Sequence, residues 1–316
     1  MKLHGIDFGN ILGASGVQGF FGEGYWFHNL FKPFGLDFSS MTFVSKTVTR
    51  WPHKGNMSLT RNYKPREFFP GCVRVRPWRG VMLNAVGLSN PGLEALLATG
   101  FWQGRTEPFF ISVMSLANTS EGRLEELRQM VDLIGDQKSR FSAPFGLQIN
   151  LSCPNTRHDP RQLVGESEKA LVVASKLGVP LMPKYSVASA SVATIKELEQ
   201  NPLCDAICVS NTVPFGSPCI NWQKAWGSKK SPLEKYGGGG LSGSALCLLV
   251  CDWIAYLRDA GFSKPINGGG GIMHPDDVLV YYEAGASSVF IGSVASLRPW
   301  RVKTIIDRAN NLKWKR

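Results

Sequence analysis

The stretch "KPINGGGGIMHPDDVLVYYEAGASSVFIGS", Lys264 to Ser293, holds one structural unit from end to end. A short apolar run closes in four glycines, an amphipathic helix follows, and a second apolar run closes in Gly292-Ser293. Two such runs joined through a helix lie parallel in one sheet, because the crossover returns the chain to the edge it left. Runs that are apolar at nearly every position, rather than at alternate ones, belong to a sheet covered on both faces.

The same alternation extends outward from this unit in both directions. Upstream, "NILGASG", "MTFVSKT", "PFFISVMS", "FGLQINLS", "PLMPKYSV" and "DAICVSNT" read as strands. The intervening "SEGRLEELRQMVDLIGD", "ESEKALVVASKLG" and "SVATIKELEQN" read as helices, as does the long "LSGSALCLLVCDWIAYLRDAG", and "RVKTIIDRANN" closes the chain. In the first of these helices Leu124, Leu127, Val131 and Leu133 are expected on one face. The segment "VMLNAVGLSNPGLEALLATG" reads as a turn opening into a helix at Asn90-Pro91. Eight strand units predict an α/β protein built as a closed (β/α)8 TIM barrel, one domain over residues 1–316. Its one long irregular insertion, residues 51–79, is expected to act as a lid or a partner surface.

Composition narrows the function classes. Of 316 residues 43% are hydrophobic and 19% charged, as in folded soluble proteins. No apolar run is long enough to span a bilayer, and the start carries no signal-peptide pattern, so a cytoplasmic protein with no membrane partner is expected. Seven cysteines, with no spacing typical of zinc or iron-sulfur ligation, point to reduced thiols and no metal. The net charge of +11 is scattered along the chain, which suits small anionic ligands and disfavours nucleic acid.

Barrel enzymes place their reactive groups at the C-terminal ends of the strands. Those ends hold Ser15, Lys46, Thr47, Ser112, Asn150, Cys153, Asn155, Lys184, Ser210, Asn211, Thr212 and the glycines at 268–271 and 292. Glycines after the last two strands suit a phosphate, although each alone can simply form a tight turn. Lys46 and Lys184 suit an anionic or electron-rich ligand, although either can be an ordinary surface lysine. The asparagines at 84, 150, 155 and 211 suit a planar amide-bearing ligand or, equally, local turn capping. Cys153, at a strand mouth before Pro154, is the candidate for proton transfer, whereas Cys204, Cys208, Cys247 and Cys251 read as core.

The motifs "MLNAVGLSNPG", "NLSCPN", "GGLSG", "INGGGG" and "FIGS" occur in the order in which they stand in the dihydroorotate dehydrogenase family. The chain resembles that family from Gly13 to about Arg308, and cysteine at 153 is similar to its soluble class 1. The segments "ASGVQGFFGEGY", "LNAVGLSNPG" and "GGLSG" resemble the branch that works with an iron-sulfur flavoprotein subunit and passes electrons to NAD. The resemblance implies FMN, oxidation of dihydroorotate to orotate in pyrimidine biosynthesis, and a homodimeric core. It implies that Cys153 takes the C5 proton while the C6 hydride goes to flavin N5. By the same resemblance Lys46, Asn84, Gly87, Leu88, Asn150, Asn155, Asn211 and Thr212 hold the pyrimidine. Ser15, Lys46, Thr47, Ser112, Asn150, Lys184, Ser210 and Gly243 contact FMN, with Gly270, Gly271, Gly292 and Ser293 at its phosphate. The chain departs from the family pattern at Ser112, at Met182-Pro183 and at Ser210.

Two other enzyme readings remain open at this point. A dihydrouridine synthase-like FMN enzyme acting on tRNA would use the positive charge. A non-redox lyase or isomerase would use the phosphate glycines without a flavin.

Overall fold

The computed structural model describes residues 1–152 and 164–314. Seven parallel strands are hydrogen-bonded in the spatial order Ile11–Gly13, Ser288–Ile291, Ile266–Gly269, Ile207–Val209, Leu181–Tyr185, Phe145–Asn150 and Phe109–Val113. Residues 42–48 fill the gap between the two ends of this sheet. They bridge in parallel to both sides, Leu12 with Thr42, Val44 with Phe110 and Val48 with Val113. Thr42 N donates to Ile11 O at 3.0 Å and Ser45 N to Phe110 O at 3.0 Å, so the ring of eight is closed. From Val44 to Val48 the chain takes four steps while its neighbour takes three, from Phe110 to Val113. The extra residue is a bulge, which breaks the regular ladder and re-aims the side chains of Lys46 and Thr47.

Period-two alternation divides each strand between the barrel interior and the helix layer. Ile111, Leu147, Leu181, Ile207, Ile266 and Val289 pack outward with the helices. Leu12, Val44, Phe110, Met182, Cys208 and Phe290 point inward as a separate apolar cluster, which Met1, Leu3 and Phe8 complete from below. Phe8 and Phe110 meet at 4.4 Å between ring centres. Gly146 leaves the room that the Phe110 ring occupies, since a Cβ there would lie 2.3 Å from it. The N-terminal hairpin, Lys2–Leu3 with Ile6–Asp7, closes the lower end, and His4 Nε2 sits 2.8 Å from Asp205 just before the sixth strand.

Helices cover the outside. Thr119 caps Ser120–Gly135 by accepting from Gly122 N at 3.0 Å. The buried face of this helix runs through Leu127, Met130, Val131 and Ile134, while Leu124 and Leu133 sit at its margins. Two expectations are corrected. Residues 81–84 and 240–243 are strands, where a turn and the first turns of a long helix were expected. They form the centre of an antiparallel four-stranded sheet ordered Val213–Pro214, Gly240–Gly243, Val81–Asn84, Val73–Arg76. The helices after them begin only at Leu93 and Cys247. Pairing between segments far apart in the chain overrides the local helical pattern. Residues 51–79 run irregularly until they enter this sheet at Val73. Among the described residues no helix is long and apolar enough to cross a membrane.

Replacing Phe110 with alanine would leave a hole at the centre of the interior cluster. We expect a loss of about 3–5 kcal/mol in unfolding free energy, read from urea denaturation.

Candidate active site

The strand alternation that builds the interior also builds the site. On the central strands, two residues above an inward apolar position and toward the C-terminal end, a polar residue points the same way. Ser112 follows Phe110, Lys184 follows Met182, and Gln148 and Asn150 stand in register beside them. The barrel therefore changes from apolar to polar at one level, and all four residues are buried.

A chain of hydroxyls and amides runs across this level. Ser15 Oγ donates to Ser45 O at 2.9 Å and lies 2.8 Å from Thr47 Oγ1. Thr47 Oγ1 lies 2.9 Å from Ser112 Oγ, which donates to Gln148 Oε1 at 3.2 Å. Asn150 Nδ2 reaches Thr47 Oγ1 at 3.5 Å, and Asn150 Oδ1 accepts from Asn211 Nδ2 at 3.0 Å. Asn211 Oδ1 in turn accepts from Thr212 N at 3.0 Å. Five residues nominated from separate strands, Ser15, Thr47, Ser112, Asn150 and Asn211, thus form one connected network. Ser210 stands beside it, but its Oγ is engaged locally, donating to Asn211 O and accepting from Val187 N.

Lys184 is 5% exposed. Its ammonium lies 5.3 Å from the centre of the Phe290 ring and makes no hydrogen bond or ion pair to a described residue. Its backbone carbonyl receives Leu151 N at 3.1 Å and Ser152 Oγ at 3.2 Å, which fixes the chain leading to residue 153. In register beside it on the next strand, burial pushes the Cys208 thiol up to about 11, with Lys184 pulling the other way, so this cysteine stays a neutral core group. A buried ammonium above an aromatic floor suits an electron-rich ligand atom.

Lys46 is the second cation. Its Nζ donates to Ser89 O and lies 4.7 Å from the Phe20 ring centre. Burial lowers its pKa to about 8, against the opposing pull of Glu23 and Cys72. The Glu23 carboxylate accepts from Phe20 N and Phe21 N at 3.0 and 2.8 Å, which holds the Phe20 ring in place over the lysine. Gly87 and Leu88 lie on the turn just before Ser89, both at positive φ, and Asn84 ends the strand that leads to them.

The nominated glycines converge in part. A Cβ on Gly271 would lie 2.7 Å from Gly243 O and 2.8 Å from Cys247 N, so these three backbones are in direct contact. Gly243 and Gly271 also have φ of 110° and 84°, which side chains avoid. Gly270 packs on Leu246, and its carbonyl accepts from Tyr281 OH at 2.7 Å. Gly292 abuts Ala14, next to Ser15, and Ser293 precedes the short helix Val294–Leu297. Cys153 and Asn155 lie outside the described residues. Among the described residues no three His, Cys, Asp or Glu side chains are grouped to hold a metal.

Sequence reasoning did not nominate Gln148, Ser89, Glu23 or Phe20. Gln148 carried a usable signal, since it stands two residues before Asn150 on a strand and so must face the same way. The other three act through backbone groups or a ring, and nothing in their local pattern marks them.

This arrangement defines an α/β barrel whose C-terminal mouth is lined with polar groups, two lysines and a glycine cradle. The dihydroorotate dehydrogenase family model matches residues 1–312, and the chain belongs to that family. Among similar proteins is the catalytic subunit of dihydroorotate dehydrogenase B (NAD(+)) from Listeria welshimeri, 28% identical, covering 95% of this chain and 88% of that one. The subunit of the same name from Streptococcus pneumoniae is 27% identical, covering 97% and 89%. A solved dihydroorotate dehydrogenase from Eimeria tenella, in complex with ferulenol, shares the fold at a TM-score of 0.70 and 20% identity. The match covers 97% of this chain and 82% of that one.

Replacing Lys184 with methionine keeps the stem and removes a buried charge that has no hydrogen-bond or ion-pair partner among the described residues. The ligand-free variant should melt a few degrees above the ligand-free parent in differential scanning calorimetry; a lower melting temperature would show that the ammonium is satisfied.

Proposed function

We propose that this chain oxidises dihydroorotate to orotate in pyrimidine biosynthesis, with FMN as cofactor, as one unit spanning residues 1–316. The observation that carries the reading is the buried Lys184 ammonium, held over Phe290 without a hydrogen-bond partner among the described residues and level with the Ser15–Thr47–Ser112 network. A flat heterocycle rich in carbonyl and ring-nitrogen acceptors would satisfy that cation. The glycine cradle fits a phosphate at the other end of the same molecule, because side chains are excluded at Gly243 and Gly271. FMN, when bound, supplies the two-electron acceptor.

In this reading Ser15, Lys46, Thr47, Ser112, Asn150, Lys184, Ser210 and Gly243 contact the cofactor, with Gly270, Gly271, Gly292 and Ser293 at its phosphate. Lys46, Asn84, Gly87, Leu88, Asn150, Asn155, Asn211 and Thr212 orient the pyrimidine and its carboxylate. Lys46 suits the carboxylate, since a desolvated ammonium attracts an anion more strongly than one in water. Cys153 takes the substrate proton at Sγ. A thiol of reference pKa about 8.5 is only a few per cent ionised at neutral pH, so kcat should climb as pH approaches that value.

The names of the relatives, NAD-linked and catalytic subunit, support an electron-transfer subunit as partner. The notion of an iron-sulfur flavoprotein, a homodimeric core and a cytoplasmic location rests on the same kinship. Family membership weighs against both the tRNA-reducing and the lyase or isomerase readings.

The decisive experiment is the absorption spectrum of the purified protein before and after anaerobic addition of dihydroorotate. We expect a flavin band that bleaches; a protein that binds no flavin, or a band that dihydroorotate leaves intact, overturns the proposal. Cys153→Ser should retain flavin and lose most of the reductive half-reaction at neutral pH, as followed by stopped-flow absorbance. For Lys46 the sign follows from charge. The ammonium is present below about pH 8 and lost above it. KM for dihydroorotate should therefore rise above that pH by up to about tenfold per unit, and Lys46→Met should show a high KM without that limb.

A further inference from the structure

The insertion and the net charge of +11 find no use in the site described above. They meet on one surface. The strand Val73–Arg76 is the outer strand of the four-stranded sheet, and the turn Pro77–Arg79 follows it. Trp78 at the tip is 96% exposed and Val75 49% exposed. Arg74, Arg76 and Arg79 flank them, all exposed and none in an ion pair with a described residue.

The loop at 222–230 brings further cations to the same place. Arg79 Nη1 donates to Lys224 O at 2.6 Å, and the Arg76 guanidinium stacks 4.8 Å from the Trp226 ring centre. Arg76 Nη1 and Arg79 Nη2 each come within 3.4 Å of the point a Cβ on Gly227 would occupy. Two guanidinium groups thus converge on one spot with no ion pair to a carboxylate of a described residue, and Lys224 is exposed alongside. Such an arrangement is electrostatically unfavourable by itself and favourable once an anion sits between them.

The strand adds a directional element. Ala85 N donates to Cys72 O, so Arg74 and Arg76 face their partners through hydrogen bonds, while Val73 and Val75 turn their backbone groups outward. Val73 N donates to Pro70 O and Val73 O accepts from Arg74 Nη1, which leaves the N–H and C=O of Val75 for a neighbour.

We propose that Arg74, Val75, Arg76, Trp78 and Arg79 form the docking surface for an extended acidic segment of a partner protein. The segment would pair its backbone with Val75, place carboxylates between Arg76 and Arg79, and cover Trp78. Exposed tryptophan and arginine together are the side chains that anchor protein interfaces. A nucleic acid would meet the charges but leave the Val75 backbone pair unmatched. A second copy of this chain, related by a two-fold axis, would set these arginines against their own counterparts. The inference goes beyond the dehydrogenase reading and does not depend on it.

The test uses the flavin-loaded full chain and a fluorescein-labelled peptide of alternating glutamate and valine, with binding followed by anisotropy. Binding should weaken as salt is raised, and Arg76→Glu with Arg79→Glu should lower affinity at least about tenfold, as expected for two lost charge-assisted contacts. Trp78→Ala should lower it by a similar factor. Lys169→Glu, an exposed lysine on another helix, should leave it unchanged. Unaltered dihydroorotate turnover and melting temperature in each variant would show that the fold is intact. No binding of the peptide, equal binding by the double variant, or tighter binding of oligo-dT than of the peptide overturns the proposal. So does a dimer that the double variant dissolves in sedimentation, which would assign the surface to a second copy.

Discussion

The structure depends on a change of polarity at one level inside a closed barrel. Phe110, Met182 and Phe290 fill the lower interior, and Ser112, Gln148 and Lys184 stand immediately above. The strands impose this, because residues two apart must face the same way while their neighbours face the helices. A polar layer raised on an apolar plug is desolvated from below and open from above. Hydrogen bonds within such a layer are stronger than at the surface, and an unmatched charge there is more unfavourable. Ser112 bonds Thr47 and Gln148, and Asn150 bonds Thr47 and Asn211, whereas the Lys184 ammonium makes no hydrogen bond to a described residue.

The bulge between Val44 and Val48 serves the same level. A regular second strand would have sent alternate residues to the interior in step with Phe110 and Ser112. One extra residue lets Thr47 join the network while Lys46 swings toward Ser89 and the Phe20 ring. The two lysines thereby come to occupy different parts of the mouth, Lys184 deep on the barrel floor and Lys46 under the first loop. This division suits a deep ligand held beneath a smaller anion.

The barrel was legible in the sequence because buried parallel strands announce themselves as short apolar runs, and all eight staves were found that way. Residues 42–48 were readable as a strand although bulging reduces them to isolated bridges. The antiparallel sheet was not legible. Gly240–Gly243 runs into "SALCLLV", which has a strong helical pattern, and its partner Val81–Asn84 lies far away in the chain. In the helix Ser120–Gly135 the buried face includes Arg123, because Glu166 pairs with its guanidinium across the helix layer. A local periodicity cannot reveal a partner of that kind. The site followed the same rule: Ser15, Thr47, Ser112, Asn150 and Asn211 were visible as polar residues ending apolar runs. Gln148 was hidden inside a run, and Phe20 and Glu23 work through a ring and two backbone amides.

Gly243 ties the inner site to the outer surface. A Cβ there would lie 2.2 Å from Gly80 O, and its own carbonyl touches the backbone of Gly271. Ser244 continues the link, its N donating to Gly80 O at 2.8 Å and its Oγ to Arg79 O at 2.8 Å. The tip that carries Trp78 and Arg79 is therefore two backbone contacts away from the glycine cradle. Any side chain at 243 would have to push apart the sheet or the cradle, and either movement would be passed to the other, since packed backbone yields little. The close approach of tip and cradle rests on Gly243, whose φ of 110° and missing side chain let both backbones come within contact of it.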